Sequence, residues 1–163
     1  MQVRTHLKTF NILHMKNSSS TIPQFELRSV QSDFPKVRIS NTTLAADYIR
    51  QFYNGDIDIF ESSFILLLNN QLRTIGYAKI SQGGITGTVI DPRIVAHYAV
   101  KSLAPHVIIA HNHPSGALYP SENDKTLTYK IQKGLELLDI TLADHIILTS
   151  DGFYSFKVEG LLS

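Results

Sequence analysis

Apolar and polar positions along the chain alternate between two periods, and the switches between them mark the elements. "SNTTLAADYIRQFY" offers Ser40, Asn41 or Thr42 as a helix cap, and Leu44, Tyr48, Ile49 and Phe52 follow at helical spacing. "SSFILLLNN" (Ser62–Asn70) is a short unbroken apolar run ending at two asparagines, which predicts a strand buried on both faces. "LRTIGYAKIS" reads as its hairpin partner, and the Gly/Thr-rich "GGITGTVID" as a loop or a short edge strand. In "DPRIVAHYAVKSLA" Asp91 is the cap, Pro92 takes the first helical position, and Ile94, Val95, Tyr98 and Leu103 give an apolar face. "HVIIAH" predicts a second buried strand. "SENDKTLTYKIQKGLELLD" predicts the clearest helix, with Leu127, Ile131, Leu135 and Leu138 on one side. "ITLADHIILTS", "DG" and "FYSFKV" then read as strand, turn, strand. Strands alternating with helices, with a hairpin at each end, predict an α/β fold: a mixed sheet with helices on its faces.

At 163 residues the chain fits one main domain. The polar stretch Asn17–Pro23 breaks the pattern, and the compact domain is expected over residues 34–163 after an N-terminal arm at 1–33. The net charge of +1 divides unevenly: +4 over residues 1–38 and −3 over the remainder. A basic arm can make weak nucleic-acid contacts, although its charges are spread out without aromatic interleaving, which fits a solvated lead-in. The chain has no cysteine, which removes disulfides, thiolate metal ligands and thiol nucleophiles. No secretory signal and no membrane-length apolar run is seen, so a cytoplasmic location is expected.

The chemistry concentrates in "VIIAHNHPSGALYPSENDKT" (Val107–Thr126). Alternate residues of a strand share a side, so His111 and His113 are expected to project together past its carboxyl end. Asp124 opens the next helix three residues before Leu127, on or beside the face that packs inward. Two imidazoles and a carboxylate are three ligands, which leaves the fourth tetrahedral position of a zinc ion for water. Zinc would bring the pKa of that water to about 7. A second carboxylate is then needed as proton shuttle, and a donor for the oxyanion; the Ser121 hydroxyl is well placed to be that donor. Ordinary readings stand beside these. Ser121 and Asp124 have the spacing of a capping box, and Pro114 and Gly116 are turn formers. His6, His14, His97 and His106 read as surface or packed residues. His145, in "ADHIIL", reads as a packed core residue, with bonding to a metal ligand as the alternative.

"HNHPSG…PSENDK" resembles the JAMM (MPN+) metalloprotease motif: His-x-His, seven residues, Ser, two residues, Asp. The segments "ESSFILLLN", "GGITGTVIDPR", "VIIAHNHPSG", "LLDITLADHIIL" and "GFYSF" are similar to the RadC branch of that superfamily, from about residue 57 onward. The resemblance implies a cytidine-deaminase-like (JAB/MPN) fold. It implies Zn2+ held by His111, His113 and Asp124, and hydrolysis of an amide or isopeptide bond in an unknown protein or peptide substrate. Ser121 matches the oxyanion serine. Glu61 matches the family's general base and acid; from the residues alone it is only an acid that opens a buried strand. Asn112 stands where deubiquitinating members usually have Ser or Thr; RadC-type members commonly have Asn there. Longer RadC proteins carry a helix-hairpin-helix module, and nothing in residues 1–60 reads as one, which weakens a DNA-repair role. A RadC-like accessory protein of repair or mobile elements, with a structural or vestigial metal site, is the alternative. Consecutive His-Asn-His is not the spread-out motif of HNH nucleases. Zinc deaminases use a Pro-Cys-x-x-Cys segment that this cysteine-free chain lacks.

Overall fold

The computed structural model describes residue 26, residues 28–83 and residues 89–162. Most of the expected N-terminal arm, with His6, His14 and the Asn17–Pro23 stretch, lies outside the described residues, as do residues 84–88 of the Gly/Thr-rich segment. Residues 1–31 and 32–163 are separate units. In the first, Arg28 pairs with Glu26 at 2.6 Å. The second holds everything that follows.

Helix α1 is Thr42–Arg50, and Asn41 caps it by accepting from the Leu44 N–H at 2.8 Å. A single 3-10 turn, Gln51–Tyr53, extends it. Strands β1 (Ser62–Leu68) and β2 (Thr74–Gln82) form the expected hairpin. Helix α2 (Pro92–Lys101) starts at the Asp91 cap with proline at its first position, and strand β3 (His106–Asn112) follows. Helix α3 is Glu122–Glu136, and strands β4 (Thr141–Leu148) and β5 (Phe153–Ser155) complete the order. The five strands form one sheet, β2-β1-β3-β4-β5, in which only β3 and β4 run parallel.

One face of the sheet packs against α1. Tyr48, Ile49 and Phe52 meet Phe64, Leu66, Ile108, Ala110 and Ile146 there. The other face packs against α2 and α3, where Val95, Ala99, Ile131 and Leu135 meet Ile65, Val107, Ile109 and Ile147. Every residue of β1 is buried because both faces of the sheet are covered, which is why its sequence reads as an unbroken apolar run.

Three helix faces differ from expectation. In α1 the buried positions include Ala45 and Ala46, while Leu44 is exposed. In α2 the buried pair is Val95 and Ala99; Ile94 is exposed, and Leu103 lies beyond the helix with a left-handed backbone (φ 54°) and a solvent-facing side chain. In α3, Ile131 and Leu135 are buried, but Leu138 falls past the helix end and is exposed. Small residues allow close helix-sheet approach, so alanine takes inward positions that a count of large apolar residues assigns elsewhere. The expected last strand, "FYSFKV", pairs only over Phe153–Ser155. The mixed α/β architecture and its two hairpin ends are as expected. Among the described residues, no helix is long and apolar enough to cross a membrane.

Candidate metal centre

The site lies at the carboxyl end of β3. Ile109 belongs to the face covered by α2 and α3, and Ala110 to the face covered by α1. The alternation continues past the strand, so His111 and His113 share the first face and Asn112 takes the second. The chain then turns at His113-Pro114-Ser115-Gly116, where the Gly116 N–H returns to the His113 carbonyl at 3.0 Å and Gly116 has a φ of 80°. Proline at the second position favours this turn, and glycine tolerates the positive φ at its end. The turn lays the Ala117 carbonyl 2.6 Å from His113 Nδ1. A carbonyl only accepts, so Nδ1 carries the hydrogen and, in the neutral ring, Nε2 is left bare.

His113 Nε2 lies 3.0 Å from His111 Nε2. Asp124 closes the group: its Oδ1 is 3.5 Å from His111 Nε2 and its Oδ2 is 3.9 Å from His113 Nε2. One ligand atom from each of the three residues falls within 4.8 Å of the others. Such a group could hold a metal ion, and its donor set of two imidazoles and a carboxylate suits a divalent transition metal. Burial holds His111 down to about 4, with Asp124 opposing the shift and His113 adding to it. A neutral ring is the form that binds metal.

Asp124 is aimed by the cap it makes. Its Oδ2 accepts from the Ser121 N–H at 2.7 Å and from the Ser121 hydroxyl at 2.6 Å, while the Asp124 N–H donates back to Ser121 Oγ at 3.1 Å. The capping box expected from spacing is therefore formed, and it fixes the carboxylate so that Oδ1 points at His111. Ser121 is exposed, and its hydroxyl hydrogen is spent on Asp124. The same residue is both cap and the expected oxyanion donor.

Glu61 is half-buried and immediately precedes β1. Its carbonyl accepts from the Gly83 N–H at 2.8 Å. Ser63 pairs with His111 across the β1–β3 ladder. The ladder ends at that pair, and Glu61 lies two residues before it in the chain. Its carboxylate is not among the three converging groups.

Three residues matter more than the sequence indicated. Asn112 accepts from the Ser62 N–H at 2.7 Å and donates to the Phe60 carbonyl at 2.8 Å and to the Ile57 carbonyl. It thereby holds the segment that carries Glu61. Tyr53 secures the same place by donating to the Ser62 carbonyl at 3.1 Å, and burial pushes its phenol up, so it stays a donor. His145 is fully buried, stacked on Phe156 at 4.7 Å between ring centroids, and its Nε2 lies 2.9 Å from His111 Nδ1. It is a packed core residue, as expected, and it also bonds a candidate ligand.

Comparison with known proteins agrees with this geometry. The family model for the RadC-like JAB domain matches residues 39–161. A UPF0758 protein of Flavobacterium johnsoniae is 44% identical over 134 residues, 82% of this chain and 58% of that protein. One from Porphyromonas gingivalis is 46% identical over 103 residues, 63% of this chain and 45% of its own length. One from Streptococcus gordonii is 40% identical over 94 residues, 58% of this chain and 42% of its own length. The matched region thus spans only about half the length of these relatives. A match over most of the chain, on a mixed five-stranded sheet with a His-His-Asp group at the end of β3, places this protein in the RadC-like JAB domain family.

Proposed function

We propose that the chain is a zinc-dependent hydrolase of the JAMM type, cleaving an amide or isopeptide bond in a peptide or protein. The observation that carries the reading is the convergence of His111, His113 and Asp124, with ligand atoms within 4.8 Å of one another. When bound, zinc acidifies a coordinated water and polarises a carbonyl. His111 and His113 present ring nitrogens from one strand, and Asp124 completes the set from a helix start. Glu61, immediately before β1, takes the proton of the attacking water and passes it to the leaving nitrogen. Ser121 turns its hydroxyl from Asp124 to the carbonyl oxygen as charge develops there. The Ser121 N–H continues to hold Asp124 Oδ2, so the carboxylate keeps its orientation during that exchange.

The test is a screen of the zinc-loaded protein against fluorogenic peptide and isopeptide libraries, with Glu61→Gln and Asp124→Ala beside it. Cleavage lost in both variants supports the reading. Cleavage unchanged in both defeats it.

A further inference from the structure

A row of hydrogen bonds enters the site from behind and has a direction. It starts at Thr128, which lies one turn of α3 beyond Asp124 and whose hydroxyl donates to the Asp124 carbonyl at 2.6 Å. A hydroxyl has one hydrogen. Thr128 Oγ1 also lies 2.6 Å from His145 Nδ1, and in that second bond it can only accept. His145 Nδ1 therefore carries a hydrogen, and the Nε2 of the neutral ring is bare. That bare nitrogen faces His111 Nδ1 at 2.9 Å, so His111 must donate. His111 Nε2 is then bare as well, and it is the atom that faces Asp124 and His113.

The opposite direction would give a different site. If Thr128 donated to His145, His145 would donate to His111, and His111 Nε2 would carry a hydrogen aimed at Asp124 and His113. The cluster would then be closed by its own hydrogen bonds and could not accept a metal through that atom. With both Nε2 atoms bare, two lone pairs face each other at 3.0 Å beside a carboxylate, which is an arrangement that favours a cation. The row cannot readily rearrange. Thr128 is 1% exposed, His145 is wholly enclosed, and the His145 ring lies nearly parallel to Phe156, at 14°.

We propose that Thr128 and His145 are positioning residues that lock His111 in the tautomer whose Nε2 can bind a metal. This rests on the metal-binding part of the function proposed above and extends it to two residues that touch neither metal nor substrate.

The test has two arms. In the first, metal-stripped wild-type protein, isotope-labelled in its histidine nitrogens, is studied at neutral pH by long-range proton–nitrogen correlation. His111 and His145 are both expected in the form with hydrogen on Nδ1. Hydrogen on His111 Nε2 would overturn the proposal, and no variant needs to fold for that result. In the second, zinc affinity is measured by chelator competition. Thr128→Val and His145→Leu are expected to weaken binding by about 10- to 100-fold. Thr128→Ser, which keeps the hydroxyl, and His145→Gln, which keeps an acceptor near the Nε2 position, are expected to recover most of the loss. Equal affinity in folded Thr128→Val, His145→Leu and wild type would also overturn it. Wild type that shows the expected tautomers but takes up no zinc would defeat the hydrolase reading while leaving the locked tautomer in place.

Discussion

The Asn112 side chain donates to the Phe60 carbonyl at 2.8 Å, and through that bond the end of β3 holds the segment that carries Glu61. The two histidines point to one side of the strand and Asn112 to the other, where its second hydrogen reaches the Ile57 carbonyl and its oxygen receives the Ser62 N–H. A single buried carboxamide uses both hydrogens and its oxygen on backbone. The middle residue of His-Asn-His thus links the candidate metal ligands to the candidate base.

Replacing Asn112 should therefore cost more than an average polar substitution. Asn112→Ala leaves a buried N–H and two carbonyls without their partner. Asn112→Asp cannot donate at all while ionised. Each is expected to lower unfolding stability by about 3 kcal/mol. Urea denaturation of the metal-free protein checks this, and a change of under about 0.5 kcal/mol would be that of an ordinary surface site.

Ser121 should show two separable effects. Ser121→Ala removes the cap of α3 and is expected to cost about 1 kcal/mol of stability. Metal binding should survive it, because Asp124 Oδ2 still receives the Ser121 N–H. Thermal unfolding and a zinc titration on the same variant distinguish cap from ligand support. A complete loss of zinc binding would assign Ser121 a larger part in holding the metal.

The metal-free protein should lose stability in mild acid. Burial holds His111 down to about 4 from its ordinary 6.5, and holds His145 lower than its ordinary value as well. Above 6.5 the rings are neutral in folded and unfolded chains alike, and stability is independent of their titration. As pH falls from 6.5 toward 4, the unfolded chain takes up protons that the folded chain refuses, so stability falls. For each ring the slope approaches about 1.4 kcal/mol per pH unit. Unfolding free energies measured across that window check it; a flat profile would mean that the rings are not held neutral by burial.

Ser62 and Ser63 are wholly buried, and their hydroxyls have no hydrogen-bond partner among the described residues. Removing an unsatisfied buried group should not destabilise. Ser62→Ala and Ser63→Ala are expected to leave the melting temperature unchanged or to raise it, by the equivalent of up to about 1 kcal/mol. A marked drop would show that each hydroxyl has a partner supplied by bound water.

The parts of this fold that could be read from sequence are those decided by neighbours in the chain. Asn41, Asp91 and Ser121 cap the helices they precede because capping is a matter of three or four residues. His111 and His113 share a side because strand alternation is local. Asp124 sits beside them because the helix start fixes its direction. What escaped reading depends on pairing across the fold. The bonds from Asn112 to Ile57 and Phe60 span more than fifty positions, and the bond of His145 to His111, open only as an alternative in the sequence, spans thirty-four. Ala99 is buried while Ile94 is exposed and Leu103 lies past the end of α2, which no periodicity of large residues reports. Glu61 is legible only through the family resemblance, because nothing local to an acid in front of a buried strand distinguishes it from Asp56 or Asp58.

The most direct test of the account is the metal content of the purified, untagged protein by elemental analysis, beside His113→Ala. The wild type is expected to hold about one zinc per chain and the variant to lose it. A wild type that holds no metal after zinc is offered, or a variant that holds as much as the wild type, would contradict it.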